Sequence, residues 1–299
     1  MSRRRFAFVA AERANHAVAT LCRIIGASVS GFYAWLRAVP ASRARAGAEA
    51  ALRGHIGRIF SDRRRLYGSR RVHAELRREG RRHSRRRVER LMREMGPAAR
   101  RGRRRAPRTT DSRHDLPVAP DLLDRRFAAD RPDTVRLADI SYIPSDEGRL
   151  YLAAVEDLAT REVVGWSMAD HLRSGLCLDA LVMALQRRRP PHGLVHHSDR
   201  GVQYASTPYR ETLERHGIKQ SMSRRGNCLD NAPMESFFAS LKKEHVHHAR
   251  FRTRAAAKAA VFEYVEVFYN RQRLHSALGY RTPAEARAGM EGITMLKAA

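Results

Sequence analysis

Cysteine is nearly absent. Only Cys22, Cys177 and Cys228 occur in 299 residues, far apart, odd in number and without a C-x-x-C spacing. That argues against a disulfide framework or a zinc finger, and a reducing cytoplasm is the expected compartment. Long apolar runs are missing too, and none approaches the ~18–20 residues a membrane span needs. The basic start Ser2-Arg3-Arg4-Arg5 leads into a short apolar stretch like that of a signal peptide. Glu12 and Arg13 interrupt it, however, and no cleavage pattern follows. Acids are scarce: 31 Asp and Glu stand against 58 Lys and Arg, a formal charge of +27. Such a balance favours a polyanionic partner and says little about fold.

The positive charge is uneven. Residues 1–120 hold 31 Lys or Arg and 9 Asp or Glu, whereas the remaining 179 residues are close to neutral, with 27 against 22. A DNA-gripping arm and a nearly neutral body are expected. Within the arm, residues 14–38 read as helix–turn–helix. Val18, Leu21, Cys22 and Ile25 recur at helical spacing, Gly26 stops the helix, and Ser28 or Ser30 can cap the next. Helices near 47–60 and 69–79 follow, the second stopped by Gly80. Ser84 can cap another, with Val88, Leu91, Met92 and Met95 on its apolar face. Arg86, Arg87, Arg90 and Arg93 form its outer face. They are candidate phosphate contacts, set against the plainer reading of a solvated charged face. Residues 97–120 carry four prolines and seven arginines, Arg103 and Arg104 among them. The segment reads as a basic linker that lies along DNA.

From about residue 132 the pattern becomes three strands, helix, strand, helix, strand, helix. This is the order of an α/β ribonuclease-H-like fold with a mixed five-stranded sheet. The expected domains are 1–45 (helix–turn–helix), 46–96 (second helical unit), 97–130 (linker), 131–290 (catalytic core) and 291–299 (tail).

Three acids in the core form a candidate site. Asp139 lies within the first strand, Asp199 ends the fourth, and Glu235 is on a helix. At 100° per residue Glu235 borders the arc of Met234, Phe237, Phe238 and Leu241, and Lys242 falls within about 20° of it. Carboxylates suit magnesium or manganese, and two such ions can drive phosphodiester chemistry on DNA. The plainer reading is an Asp in a turn and a solvated Glu. Asp157 reads as a turn residue, Asp230 or Asn231 as the cap of the Glu235 helix, and His196 and His197 as packing residues.

These motifs closely resemble bacterial transposases of the insertion-sequence-three (IS-three) family, which share the retroviral integrase core. The resemblance is carried by His196-His197-Ser198-Asp199-Arg200-Gly201 with Gln203-Tyr204, the run from Met222 through Phe238, Leu241 to Glu244, Tyr269-Asn270-Arg271-Gln272-Arg273, His275 to Tyr280, and Tyr67 to His73. It implies a catalytic trio of Asp139, Asp199 and Glu235, with Lys242 as a DNA contact. It also implies magnesium-dependent cleavage at element ends and strand transfer by the freed 3′-hydroxyl. Homo-oligomers on paired ends, and a partner encoded by an upstream reading frame, go with the family. Arg136 stands where the family usually has Trp, which predicts weaker core packing there. A non-catalytic DNA-binding protein and a ribonuclease acting on hybrids are the competing functions.

Overall fold

In the computed structural model, residues 2–96, 115–224 and 228–298 are described, and the chain divides into two compact units near residue 99. Arg103 and Arg104 lie outside the described residues.

The first unit is all helical: α1 (Ser2–Glu12), α2 (Val18–Ile24), α3 (Val29–Asp62), α4 (Ser69–Arg78) and α5 (Arg85–Met95). The expected caps form. The Ser28 hydroxyl accepts from the Gly31 N–H at 3.1 Å and that of Ser84 from the Arg87 N–H at 3.3 Å. Each satisfies a donor that the first helical turn leaves unpaired. The sequence reading gave no helix to residues 2–12. In fact α1 buries Val9 and packs Phe6 against Phe32 and Trp35, with ring centroids 6.2 and 6.0 Å apart. A second difference concerns the expected boundary at residue 45. α3 runs unbroken through it for 34 residues, with Pro40 inside. The Ala- and Arg-rich stretch after Pro40 has high helix propensity and carries the helix onward. Leu52, Ile56, Ile59 and Phe60 of α3 are buried, as are Val72 and Leu76 of α4 and Val88, Leu91 and Met92 of α5.

The second unit holds one five-stranded sheet in the order β3-β2-β1-β4-β5. β1 (Val135–Ser145), β2 (Gly148–Asp157) and β3 (Val163–Ala169) form an antiparallel meander, while β4 (Val195–Ser198) and β5 (Lys219–Met222) join parallel on the far side of β1. α6 (Ser174–Arg187) covers one face, burying Leu176, Cys177, Ala180, Leu181 and Ala184 with Ala138, Ala153 and Val155. It lies so close to β3 that a Cβ on Gly165 would meet the Ala180 carbonyl at 2.2 Å. Only glycine fits there. α7 (Val202–Ala205) and α8 (Thr207–Arg215) connect β4 to β5. α9 (Ala232–Glu244) buries Met234, Phe237, Phe238 and Leu241, the face the helical wheel predicts. α10 (Arg254–Phe262) continues into a π-helical stretch, Glu263–Tyr269. Beyond it, the Asn270 amide bonds both the N–H and the C=O of Val163 at 3.0 Å, closing that end of edge strand β3.

Two further expectations are corrected. Residues 115–130 of the expected linker pack on the core: Leu123 is buried, and the Leu122 N–H donates to the Ser221 hydroxyl at 2.9 Å. The expected tail, 291–299, begins inside α11 (Pro283–Ala298). Arg136 does not leave a poorly packed site. It is fully buried, donating to Asp133 at 2.7 Å and to the carbonyls of Arg188 and Ala184 at 2.8 and 3.3 Å. The guanidinium ties β1 to the end of α6, and its charge is compensated as burial requires.

Candidate active site

β1 and β4 pair in parallel only from Val135↔Val195 to Leu137↔His197. The ladder then ends. Asp139 and Asp199 each follow two residues later, so they stand at equivalent positions where the strands part. Ligand sites in α/β sheets gather at such strand ends. A small cavity there is lined by Asp139, Ile140, Ser141, Tyr151, Leu172, Asp199 and Gln203.

Asp139 is half-buried. Burial pushes its carboxyl well above the ordinary carboxylate range; the Asp199 charge adds to this, and Glu235 adds less. The Ile140 N–H, which donates to Asp139 Oδ1 at 2.7 Å, and Lys242 pull the other way without winning. Asp199 Oδ1 accepts from the Gly201 N–H at 2.9 Å. A Cβ on Gly201 would approach both Asp199 Oδ1 and Gln203 Oε1 at 2.9 Å, so a side chain there would push these two groups from their places.

Glu235 occupies the first turn of α9 and is exposed, although nearby protein still pushes its pKa upward. Lys242 sits two turns on, half-buried. Desolvation lowers its pKa, against the pull of Asp139. Among the described residues no three His, Cys, Asp or Glu side chains stand as a closed metal centre. The fold brings Asp139 and Asp199 to one cavity, and the Glu235 charge also acts on Asp139. The site therefore concentrates negative charge on hard oxygen donors at a partly desolvated point. A divalent cation would relieve that charge, so the donor set fits magnesium or manganese.

The other acids have structural partners. Asp157 accepts from Thr160 and from the Asp133 N–H, as the turn reading predicts. Asp230 does not cap α9. Its carboxylate is clamped by Arg224 and Arg125 at 2.8–3.0 Å, with Arg224 foremost in holding its pKa far below the usual range. Asn231 makes no side-chain cap either; its Nδ2 donates to the Ala138 carbonyl at 3.0 Å. Sequence reasoning missed this link, which fastens the start of the Glu235 helix to the residue beside Asp139. The signal available was an Asn just ahead of Pro233, and it was read as local. Gln203 was also given no role. It lies in α7, four residues past Asp199, its Nε2 donating to the Leu172 carbonyl at 3.0 Å. His196 bonds Tyr209 at 2.7 Å and His197 bonds Ser221 at 2.8 Å, both fully buried as packing residues.

In the helical unit, Arg86 and Arg93 are exposed on α5. Arg90 is exposed as well, but its guanidinium is engaged by Glu49 at 2.9 Å and Glu94 at 2.7 Å. It joins α5 to α3.

Comparison with known proteins agrees with this architecture. The integrase core domain family matches residues 129–228, a second integrase core description matches 216–283, and an HTH-like domain family matches 48–105. An uncharacterized 31 kDa protein of insertion element IS600 from Shigella sonnei is 44% identical over 267 residues, 89% of this chain and 97% of its own. Transposase InsF for insertion sequence IS3A, from Escherichia coli K12, is 38% identical over 285 residues, 94% of this chain and 97% of its own. Among solved structures, a simian T-cell lymphotropic virus intasome is 15% identical with a TM-score of 0.45, covering 72% of this chain and 70% of that one. With full-length relatives at this identity, the chain belongs to the IS3 family of insertion-sequence transposases.

Proposed function

We propose that this protein is a DNA transposase that cleaves phosphodiesters at the ends of an insertion sequence and joins the freed 3′-hydroxyl to target DNA. One observation carries the reading: two carboxylates at equivalent positions just past a parallel ladder, one of them strongly raised in pKa by burial and by its neighbours. Asp139, Asp199 and Glu235 are the catalytic acids. They would hold magnesium, with manganese as a substitute, as two ions shared by the three carboxylates. Bound there, the ions would activate an attacking oxygen and offset the charge of the phosphate. Lys242, on the Glu235 helix and within the field of Asp139, holds the DNA phosphate beside the acids. Arg86 and Arg93 grip the DNA backbone from α5, and Arg103 and Arg104 extend that grip. Arg90 contributes to it through the position it gives α5. DNA is the partner. A homo-oligomer acting on paired ends in the cytoplasm, with the upstream-frame protein attached or bound, completes the reading, and membership of the family supports it.

The test is cleavage of a duplex carrying the element's terminal sequence, with magnesium and with chelator. Metal-dependent nicking that Asp199→Asn or Glu235→Gln abolishes while DNA binding persists is the expected result. Salt-sensitive binding without any metal-dependent cleavage would instead identify a DNA-binding protein that does no chemistry. Cutting of the RNA strand of a hybrid would identify a ribonuclease.

A further inference from the structure

Three residues along β1 from Asp139, the ring of Tyr142 carries two cations. Lys242 Nζ of α9 lies 5.1 Å from the ring centroid, and the Arg149 guanidinium of β2 lies 5.1 Å from the same centroid. Among the described residues neither cation forms an ion pair with a carboxylate. The nearby hairpin acids are engaged elsewhere: Asp146 pairs with Arg250, and Glu147 accepts from the Arg254 N–H at 2.8 Å. Arg149 is exposed, and Lys242 and Tyr142 are half-buried. Two positive charges gathered on one ring repel each other. An aromatic face offsets part of that cost, since its quadrupole attracts each cation. An anion between or beside them would offset the rest.

The geometry points to a phosphate clamp in which Arg149 joins Lys242 in binding the DNA strand next to the acidic pair, with Tyr142 as the positioning residue that holds both cations in place. The inference rests on the transposase reading for the identity of the anion. The two cations lie no farther apart than twice their distance from the ring. At about 3.4 Å of rise per nucleotide of one strand, they cover on the order of one to three successive phosphates. Lys242 also lies within the field of Asp139, which puts that end of the clamp close to the acids. Lys offers a compact charge and Arg a planar fork, so the pair can hold adjacent phosphates in different orientations.

The test measures binding of a duplex element end by the full chain in chelator across a salt series, with a random duplex of equal length as control. Each phosphate that is no longer neutralised lowers the slope of log K against log salt by about 0.9 for duplex or about 0.7 for single strand. Arg149→Ala is expected to lower the slope by the equivalent of about one phosphate. Tyr142→Leu is expected to lower it similarly without removing a charge, and Tyr142→Phe, which keeps the ring, to leave it unchanged. Arg149 is exposed, so its removal leaves the fold intact. A wild-type slope in Arg149→Ala, or an unaltered slope in Tyr142→Leu, would overturn the clamp. Altered slopes in a protein that never cleaves DNA would overturn the transposase reading and leave the clamp standing.

Discussion

Asp139 and Asp199 each lie two residues beyond Leu137 and His197, the last paired residues of the parallel β1–β4 ladder, and both line one small cavity. The Asp199 charge raises the pKa of Asp139, so the two carboxylates share one field. Each remaining part of the site is fastened to that pair: Asn231 ties the head of α9 to the Ala138 carbonyl, and Gly201 allows the turn that holds Asp199.

Asp139→Asn should abolish magnesium-dependent cleavage while leaving DNA affinity in chelator unchanged, because the metal-free folded protein already holds the Asp139 carboxyl proton. The effect should exceed the roughly 10–100-fold cost of removing an outer partner of a metal ligand. Residual cleavage within that range would demote Asp139 to a supporting role.

The raised pKa of Asp139 has a consequence for stability. Above the ordinary carboxylate pKa the unfolded chain has released this proton while the folded chain still holds it, so stability falls as pH rises toward the folded value. Metal-free Asp139→Asn should therefore be more stable than wild type at neutral pH and lose that advantage in acid. Magnesium should stabilise wild type, by about 2.7 kcal/mol at a concentration 100 times its Kd, and stabilise the variant less. Denaturant melts at several pH values, with and without magnesium, decide this.

Glu156 gives a second pH dependence away from the site. It is buried beneath Tyr269 and Arg161, and burial pushes its carboxyl up to about 7. The folded protein thus loses stability as pH rises from about 4.5 to about 7. Glu156→Gln should flatten that part of the profile in thermal melts without altering magnesium-dependent stabilisation. An unchanged profile would show that Glu156 is ionised throughout.

Glu244 and Arg273 form a nearly buried two-pronged pair at 2.7 Å, with Tyr264 also donating to Glu244. Removing one partner strands the other, at a cost of about 3–5 kcal/mol. Glu244→Ala should lower the urea midpoint accordingly. It should also reduce cleavage more than DNA binding, because α9 carries Glu235. Arg273→Lys should restore little, since an ammonium cannot form both bonds.

Arg86→Ala and Arg93→Ala should each reduce the salt dependence of DNA binding by the equivalent of about one phosphate. Arg90→Ala should act mainly on the stability of the helical unit, because Glu49 and Glu94 already engage its guanidinium. A slope for Arg90→Ala that falls as far as those of Arg86→Ala and Arg93→Ala would return Arg90 to the DNA-contacting set.

Much of this was legible in the chain. Alternation and helical spacing are local, so the five strands, the caps at Ser28 and Ser84, and the buried arc of α9 could be read directly. The Asp139–Asp199 juxtaposition needs strand register, which no local pattern encodes. Arg136 was misjudged because a charged residue in a strand reads as a packing defect until its partners, Asp133 and the end of α6, come into place. Asp230 looked like a cap because its other role depends on Arg125, distant in sequence. The boundary at residue 45 was misplaced because residues 14–38 and 47–60 were read as separate helical units, whereas α3 runs from Val29 to Asp62 as one helix with Pro40 inside.

That uninterrupted α3 works as a ruler. At about 1.5 Å per residue its 34 residues span on the order of 50 Å, with α1 and α2 packed near its beginning and α4 and α5 near its end. Inserting or deleting a single residue in the exposed middle would turn one group of helices by about 100° relative to the other. The middle of α3 buries almost nothing, and yet its length sets how those two groups of helices face each other.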